Sequence, residues 1–139
     1  MRTVFAATGL AVILAGPACQ SERPEDQVRR AFEACRAAVE AGDAAAATAP
    51  LDAAFRGPDG MDRAAARLFL LGSLREEKVG ITVLRNEVAV RGREALQEVD
   101  LLLTGRGGGL LPQDASRRSF QLRWRKSGGD WKLVEIQNG

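Results

Sequence analysis

The chain has 139 residues, enough for one modest domain, with 20 Lys and Arg against 18 Asp and Glu and neither His nor Tyr. A net charge of +2 lacks the concentrated basic surplus that neutralises several phosphates, so nucleic acid is not an expected partner. Without His and Tyr the usual near-neutral proton carrier and the phenolic donor are gone, and any acid-base chemistry falls to Asp, Glu, Lys or Arg.

Residues 1–18 read as an export signal: Arg2 gives a brief positive start, Val4 to Leu14 an apolar stretch, and Ala15-Gly16-Pro17-Ala18 a small-residue stretch. The stretch is too short and wrongly flanked for a transmembrane helix. Gly16 and Ala18 suit ordinary signal peptidase, and the Cys19 directly after them also resembles a bacterial lipoprotein site, where the thiol is diacylated and becomes the first residue. Gly16 and Pro17 depart from that pattern, which usually has Leu at the first of these positions and seldom Pro at the second. Lipidation of Cys19 is the expectation, with plain secretion as the alternative; a disulfide between Cys19 and Cys35 is the competing use of the thiol, and a small buried Cys35 the blander one. Residues 19–23 then form a tether of order 15 Å, holding a domain spanning 24–139 against the membrane. Gln20 after the Cys resembles the sorting residue of outer-membrane lipoproteins in Gram-negative bacteria.

Pro24 suits the first turn of a helix, and Val28, Ala31, Phe32, Cys35, Ala38 and Val39 recur as a one-sided stripe that Gly42 ends. Asp43 can cap a short second helix over Ala44 to Ala49, closed by Pro50. Leu51 to Phe55 leads into a turn at Gly57-Pro58-Asp59-Gly60. A third helix is predicted from about Asp62 to Glu77, where Leu68-Phe69-Leu70-Leu71 implies a face buried more than halfway round. From Lys78 the period becomes two. Val79, Ile81 and Val83 alternate, then Val88 and Val90 on the opposite parity, which requires a bulge or tight turn near Arg85-Asn86-Glu87. Arg91-Gly92-Arg93 turns the chain into a run of Ala95, Gln97, Val99, Leu101 and Leu103. Phe120, Leu122 and Trp124 then alternate with Gln121, Arg123 and Arg125, and Ser127-Gly128-Gly129-Asp130 leads into a last strand from Trp131 to Gln137. Helices followed by an antiparallel meander imply an α+β domain with the helices on one face of the sheet.

These residues resemble the nuclear transport factor 2-like superfamily, the cone-shaped α+β fold shared with ketosteroid isomerases, polyketide cyclases and many bacterial lipoproteins. The resemblance lies in Val28-Arg29-Arg30-Ala31-Phe32, the Ala41-Gly42-Asp43 break, Val88 to Ala95 across a hairpin and the closing Gly129 to Ile136. It implies a strongly curved antiparallel sheet wrapped around the helices, with a pocket at the open end, and a homodimer through the sheet. Ketosteroid isomerases place an Asp base and a Tyr-containing oxyanion hole in that pocket, and related dehydratases use His with Asp. With no Tyr and no His, this chain takes over no catalytic residue.

Asp52, Asp59 and Asp62 cluster around one loop, where turn and cap roles compete with that of a general base. Asp100 interrupts an apolar strand; facing a cavity its pKa would rise, but alternation sets it opposite Val99 and Leu101, toward solvent. Trp124 and Trp131 are candidates to line a pocket, with ordinary packing as the alternative. Arg117, Arg118, Arg123, Arg125 and Lys126 form the densest basic stretch, with Arg123 and Arg125 on one strand face; they could hold an acidic partner, anionic lipid or a ligand carboxylate, or simply be solvated and balanced by Glu87, Glu98 or Glu135. Gly105-Arg106-Gly107-Gly108-Gly109 lacks the following Gly-Lys-Ser or Gly-Lys-Thr of a phosphate loop; the stretch from Gly105 to Ser116 is instead a hairpin tip, a lid or a disordered segment. No cofactor and no metal are expected. The leading expectation is a non-catalytic, lipid-anchored envelope domain that binds an apolar small molecule or a protein. The alternatives are an isomerase- or cyclase-like enzyme using a buried Asp or Glu, and a passive module of an envelope assembly.

Overall fold

Pro24 opens helix α1, Pro24–Glu40, with Glu25 and Asp26 in its first turn where the helix dipole favours negative charge. The chain is represented by a computed structural model that describes residues 22–76, 78–105 and 117–139. The expected export signal at 1–18, Cys19, Glu77 at the expected end of the third helix and residues 106–116 lie outside the described residues. Val28 and Phe32 are buried along α1, and the helix stops where Gly42 adopts φ +74°, a conformation that costs glycine nothing. Asp43 then caps α2, Ala44–Thr48, its carboxylate accepting the Ala46 N–H at 3.0 Å.

The chain next enters strand β1, Leu51–Arg56, which sequence reasoning took only as an approach to a turn. After a tight helical turn at Pro58–Gly60, α3 runs over Arg63–Glu76, with Asp62 accepting the Ala65 N–H at 2.8 Å. Only Ala66 of α3 is buried, while Leu68 is 70% and Phe69 61% exposed, so the expected more-than-half-buried face does not exist. The reason is position: α3 packs on β1 and α2 at one edge of the fold, and among the described residues no second layer covers it.

Four long strands follow: β2 (Gly80–Arg91), β3 (Glu94–Thr104), β4 (Arg117–Ser127) and β5 (Asp130–Asn138). The sheet order is β1-β5-β4-β3-β2, antiparallel except that β1 lies parallel to β5. The expected all-antiparallel sheet is therefore mixed at one edge. The parity change in β2 is a bulge at Leu84, since Val83 faces Leu101 and Arg85 faces Asp100 within one continuous strand. A second irregularity falls in β5, where Trp124 faces Leu133 and Arg123 faces Glu135, leaving Val134 as the extra residue. Bulges bend and twist a strand, which lets the sheet wrap toward α1. The core lies on that side: Val28 and Phe32 of α1 and Leu51 and Phe55 of β1 pack with Val99, Leu101, Leu122, Trp124 and Leu133 of the sheet.

Candidate functional site: an apolar cavity between α1 and the sheet

The inner sheet face and the helices do not close on each other everywhere. They leave a cavity of about 600 Å³, within the range of roughly 300–1,000 Å³ typical of small-molecule sites. Phe32, Cys35 and Val39 line it from α1, Leu51 and Phe55 from β1, and Phe69 and Leu70 from α3. From the sheet come Val99, Leu101, Phe120, Leu122, Trp124, Leu133 and Ile136. The alternation of β3, β4 and β5 dictates this wall, because residues two apart on a strand share a face.

The polar groups at the wall fall into two sets. The first is already satisfied within the protein. Trp124 is fully enclosed and its indole Nε1 donates to Gln97 Oε1 at 2.9 Å, while Gln97 Nε2 donates to Asn86 Oδ1 at 2.8 Å. Thr48 donates its hydroxyl to the Ala44 carbonyl at 2.8 Å. Arg36 is held by the carboxylates of Glu33 and Glu40 and reaches the Ile81 carbonyl at 3.3 Å, tying α1 to the start of β2. The Arg36 hydrogen bond also holds the Glu33 carboxyl below its usual range. Among the described residues no buried side-chain nitrogen or oxygen lacks a partner.

The second set, Asp59, Arg118 and Asn138, stands at the rim and is exposed. Arg118 continues inward the alternation of Phe120, Leu122 and Trp124, and Asn138 faces Phe120 across the β4–β5 pair. Asp59 sits at φ 61°, a left-handed conformation that Asp tolerates better than most residues. Asn138 went unnoticed in the sequence, and Arg118 was weighed only as part of a basic stretch, although the signal for its inward position was there: Arg118 has the same parity as Trp124. Gln97 likewise occupied an inward position in a run of apolar residues.

The candidates singled out from sequence are scattered. Trp124 lines the cavity. Trp131 does not: it borders a separate groove of about 620 Å³ on the other side of α1, its Nε1 donating to Gln27 Oε1 at 3.1 Å and the Lys126 ammonium lying 5.8 Å from its ring centre. Cys35 lies between cavity and groove with no disulfide partner among the described residues, its thiol pKa raised by burial from the usual 9.0 to about 11. Asp52 turns away to accept the Ala54 N–H at 2.8 Å, a local turn contact. Asp100 is on the outer sheet face, accepting from Ser119 Oγ at 2.7 Å and Arg85 Nε at 3.2 Å. The Ser119 hydrogen bond, with the nearby Arg85 charge, holds its carboxyl below the usual value, the opposite of the rise a cavity would impose. Arg85 bridges Glu87 and Glu98 on the same face, Arg123 pairs with Glu135 at 3.5 Å, and Arg125 points to solvent. Among the described residues no three Cys, Asp or Glu side chains are grouped to hold a metal ion.

No family model and no curated protein matches the sequence. Solved structures match its architecture. A nuclear transport factor 2-like protein from Cytophaga hutchinsonii aligns at a TM-score of 0.68 and 12% identity, over 84% of this chain and 98% of its own. One from Novosphingobium aromaticivorans, described as having a cystatin-like fold, aligns at 0.67 and 15%, over 81% and 79%. A proposed dehydratase of the nuclear transport factor 2-like family from Streptomyces avermitilis aligns at 0.68 and 20%, over 80% and 91%. At such identities the likeness speaks for the course of the backbone alone, and in that respect the chain has the nuclear transport factor 2-like, cystatin-like fold.

Proposed function

We propose that the protein is an exported domain, anchored by a lipid on Cys19, that binds an apolar small molecule in the cavity without transforming it. The observation that carries the binding reading is the cavity wall itself: about 600 Å³ bounded by Phe, Leu, Val and Trp side chains, with the enclosed polar groups behind them already satisfying one another. Binding is favoured over catalysis by where the carboxylates stand. Asp52 and Asp62 serve local turns and caps, Asp100 sits in an ion-pair network on the outer face, and Asp59 is at the solvated rim. A carboxylate general base must reach the reacting atoms from inside the site, and none of these four side chains stands within the cavity.

The cavity is tested with Nile red, an uncharged dye that fluoresces in apolar surroundings. Emission that rises with the full-length protein, falls when dodecanol competes, and is largely lost in Val39→Trp supports the reading, since Val39 is a half-buried wall residue. Emission unchanged by Val39→Trp in a folded variant sinks it. The anchor is tested by mass spectrometry of the membrane fraction: a diacylated Cys19 is expected, and an unmodified or disulfide-bonded Cys19 overturns it.

A further inference from the structure

Among the described residues three charged side chains border the cavity, and they are not equivalent. Arg36 is flanked by two carboxylates, Glu33 and Glu40, and its charge is spent on them. Arg118 forms no ion pair among the described residues, yet its strand parity carries it onto the face that lines the cavity. Its backbone is fixed there, because Arg118 is paired with Leu101 of β3 and the next residue, Ser119, accepts the Gly139 N–H at 2.9 Å. Asn138 lies diagonally opposite on β5, facing Phe120 while Arg118 is two residues along the same face. Diagonal neighbours in an antiparallel pair are about 7–8 Å apart, which long side chains span. A guanidinium fork and an amide donor thus stand together at the end of an apolar chamber, the pairing of groups that binds a planar carboxylate.

We infer that the cavity takes an amphipathic monocarboxylate, its apolar body inside and its carboxylate held at the rim by Arg118 and Asn138. This rests on the proposed binding role of the cavity and adds the chemical class of the ligand. Asp59, the third charge, sets the limit to one anionic group: a second carboxylate at the rim would meet its negative charge. The apolar wall supplies affinity for any greasy body of the right size, and the rim pair supplies the preference for the acid over the alcohol.

The experiment titrates the full-length protein, Arg118→Gln and Arg118→Lys with dodecanoate and with dodecanol by calorimetry below micellar concentrations. The unmodified protein is expected to bind dodecanoate about tenfold more tightly than dodecanol, the difference one charge-assisted hydrogen bond makes at a solvated site. Arg118→Gln is expected to lower dodecanoate binding to the dodecanol level while leaving dodecanol unchanged, and Arg118→Lys to restore part of the preference. Equal binding of the two ligands by the unmodified protein, or a preference that survives Arg118→Gln, overturns the inference and leaves the binding role standing. Binding of neither ligand overturns both. Arg118 is exposed, so an intact far-UV circular dichroism spectrum of its variants is expected and excludes misfolding as the cause.

Discussion

Replacing Gln97 by Leu would leave the indole N–H of Trp124 enclosed without an acceptor. Both side chains are 0% exposed, so water cannot take the place of the lost amide. A buried donor stripped of its partner costs about 1–3 kcal/mol. Asn86, only half-buried, loses a donor as well but keeps some access to solvent. Part of the penalty is offset, because Leu has a similar volume and needs no desolvation of an amide. The net expectation is a loss of about 1–2 kcal/mol, or a fall in melting temperature of roughly 4–10 °C for a domain of this size. Trp124→Phe removes the donor instead, and it costs about 1–3 kcal/mol through lost volume and a stranded Gln97 oxygen. The double variant should lose less than the two singles added together, by about 1 kcal/mol, since neither polar group is then left facing an absent partner. Urea unfolding followed by far-UV circular dichroism reads these differences without depending on the altered fluorophore. A Gln97→Leu protein within about 0.5 kcal/mol of the original, or strict additivity in the double variant, would refute the reasoning.

The Cys35 thiol keeps its proton in the folded chain up to about pH 11, whereas the unfolded chain releases it near 9.0. The stability it confers is whole below pH 9.0 and is lost as pH rises through about 11, by about 3 kcal/mol. The stability difference between the protein and Cys35→Ala should shrink accordingly across that window, and parallel pH curves would contradict the prediction. Asp100, whose carboxyl is held low first by Ser119 and then by Arg85, contributes stability that is present above 3.8 and fades as pH falls through its depressed value. Ser119→Ala should move the Asp100 carboxyl upward toward 3.8 in an NMR titration; an unmoved midpoint would mean the hydroxyl is not what holds it down. Gly42→Ala should cost about 1 kcal/mol in chemical unfolding, wholly through the backbone, because an added Cβ at φ +74° meets nothing within 4 Å. A Gly42→Ala protein as stable as the original would show that α1 ends in some other conformation.

Much of the fold could be read before any coordinates, for physical reasons that differ by element. Gly42, Asp43 and Asp62 mark helix ends because their chemistry is local: a left-handed backbone, and carboxylates accepting nearby N–H groups. The parity switch between Val83 and Val88 signalled a bulge because alternation has period two, and Leu84 absorbs the extra residue. β1 escaped notice because Leu51 and Phe55 are four apart, a spacing common to helix and strand, and its parallel partner lies far away in the sequence. The exposure of α3 escaped for a related reason: Leu68-Phe69-Leu70-Leu71 records apolarity but not whether a second layer exists to cover it. The site was less legible than the fold. Aspartates drew attention as chemistry-bearing residues, yet Asp52 and Asp100 face away from the cavity, whereas Arg118, hidden in a run of basic residues, reaches its rim by strand parity alone.

The most direct test of the account is where an uncharged apolar ligand settles. Methyl resonances can be followed by NMR as dodecanol is added to the full-length protein. Shifts are predicted at Val99, Leu101, Leu122 and Leu133, which line the cavity. Shifts confined to Leu68, Leu71, Leu84 and Leu96, the exposed apolar side chains on the outside of the fold, would contradict the claim that the cavity is the binding site.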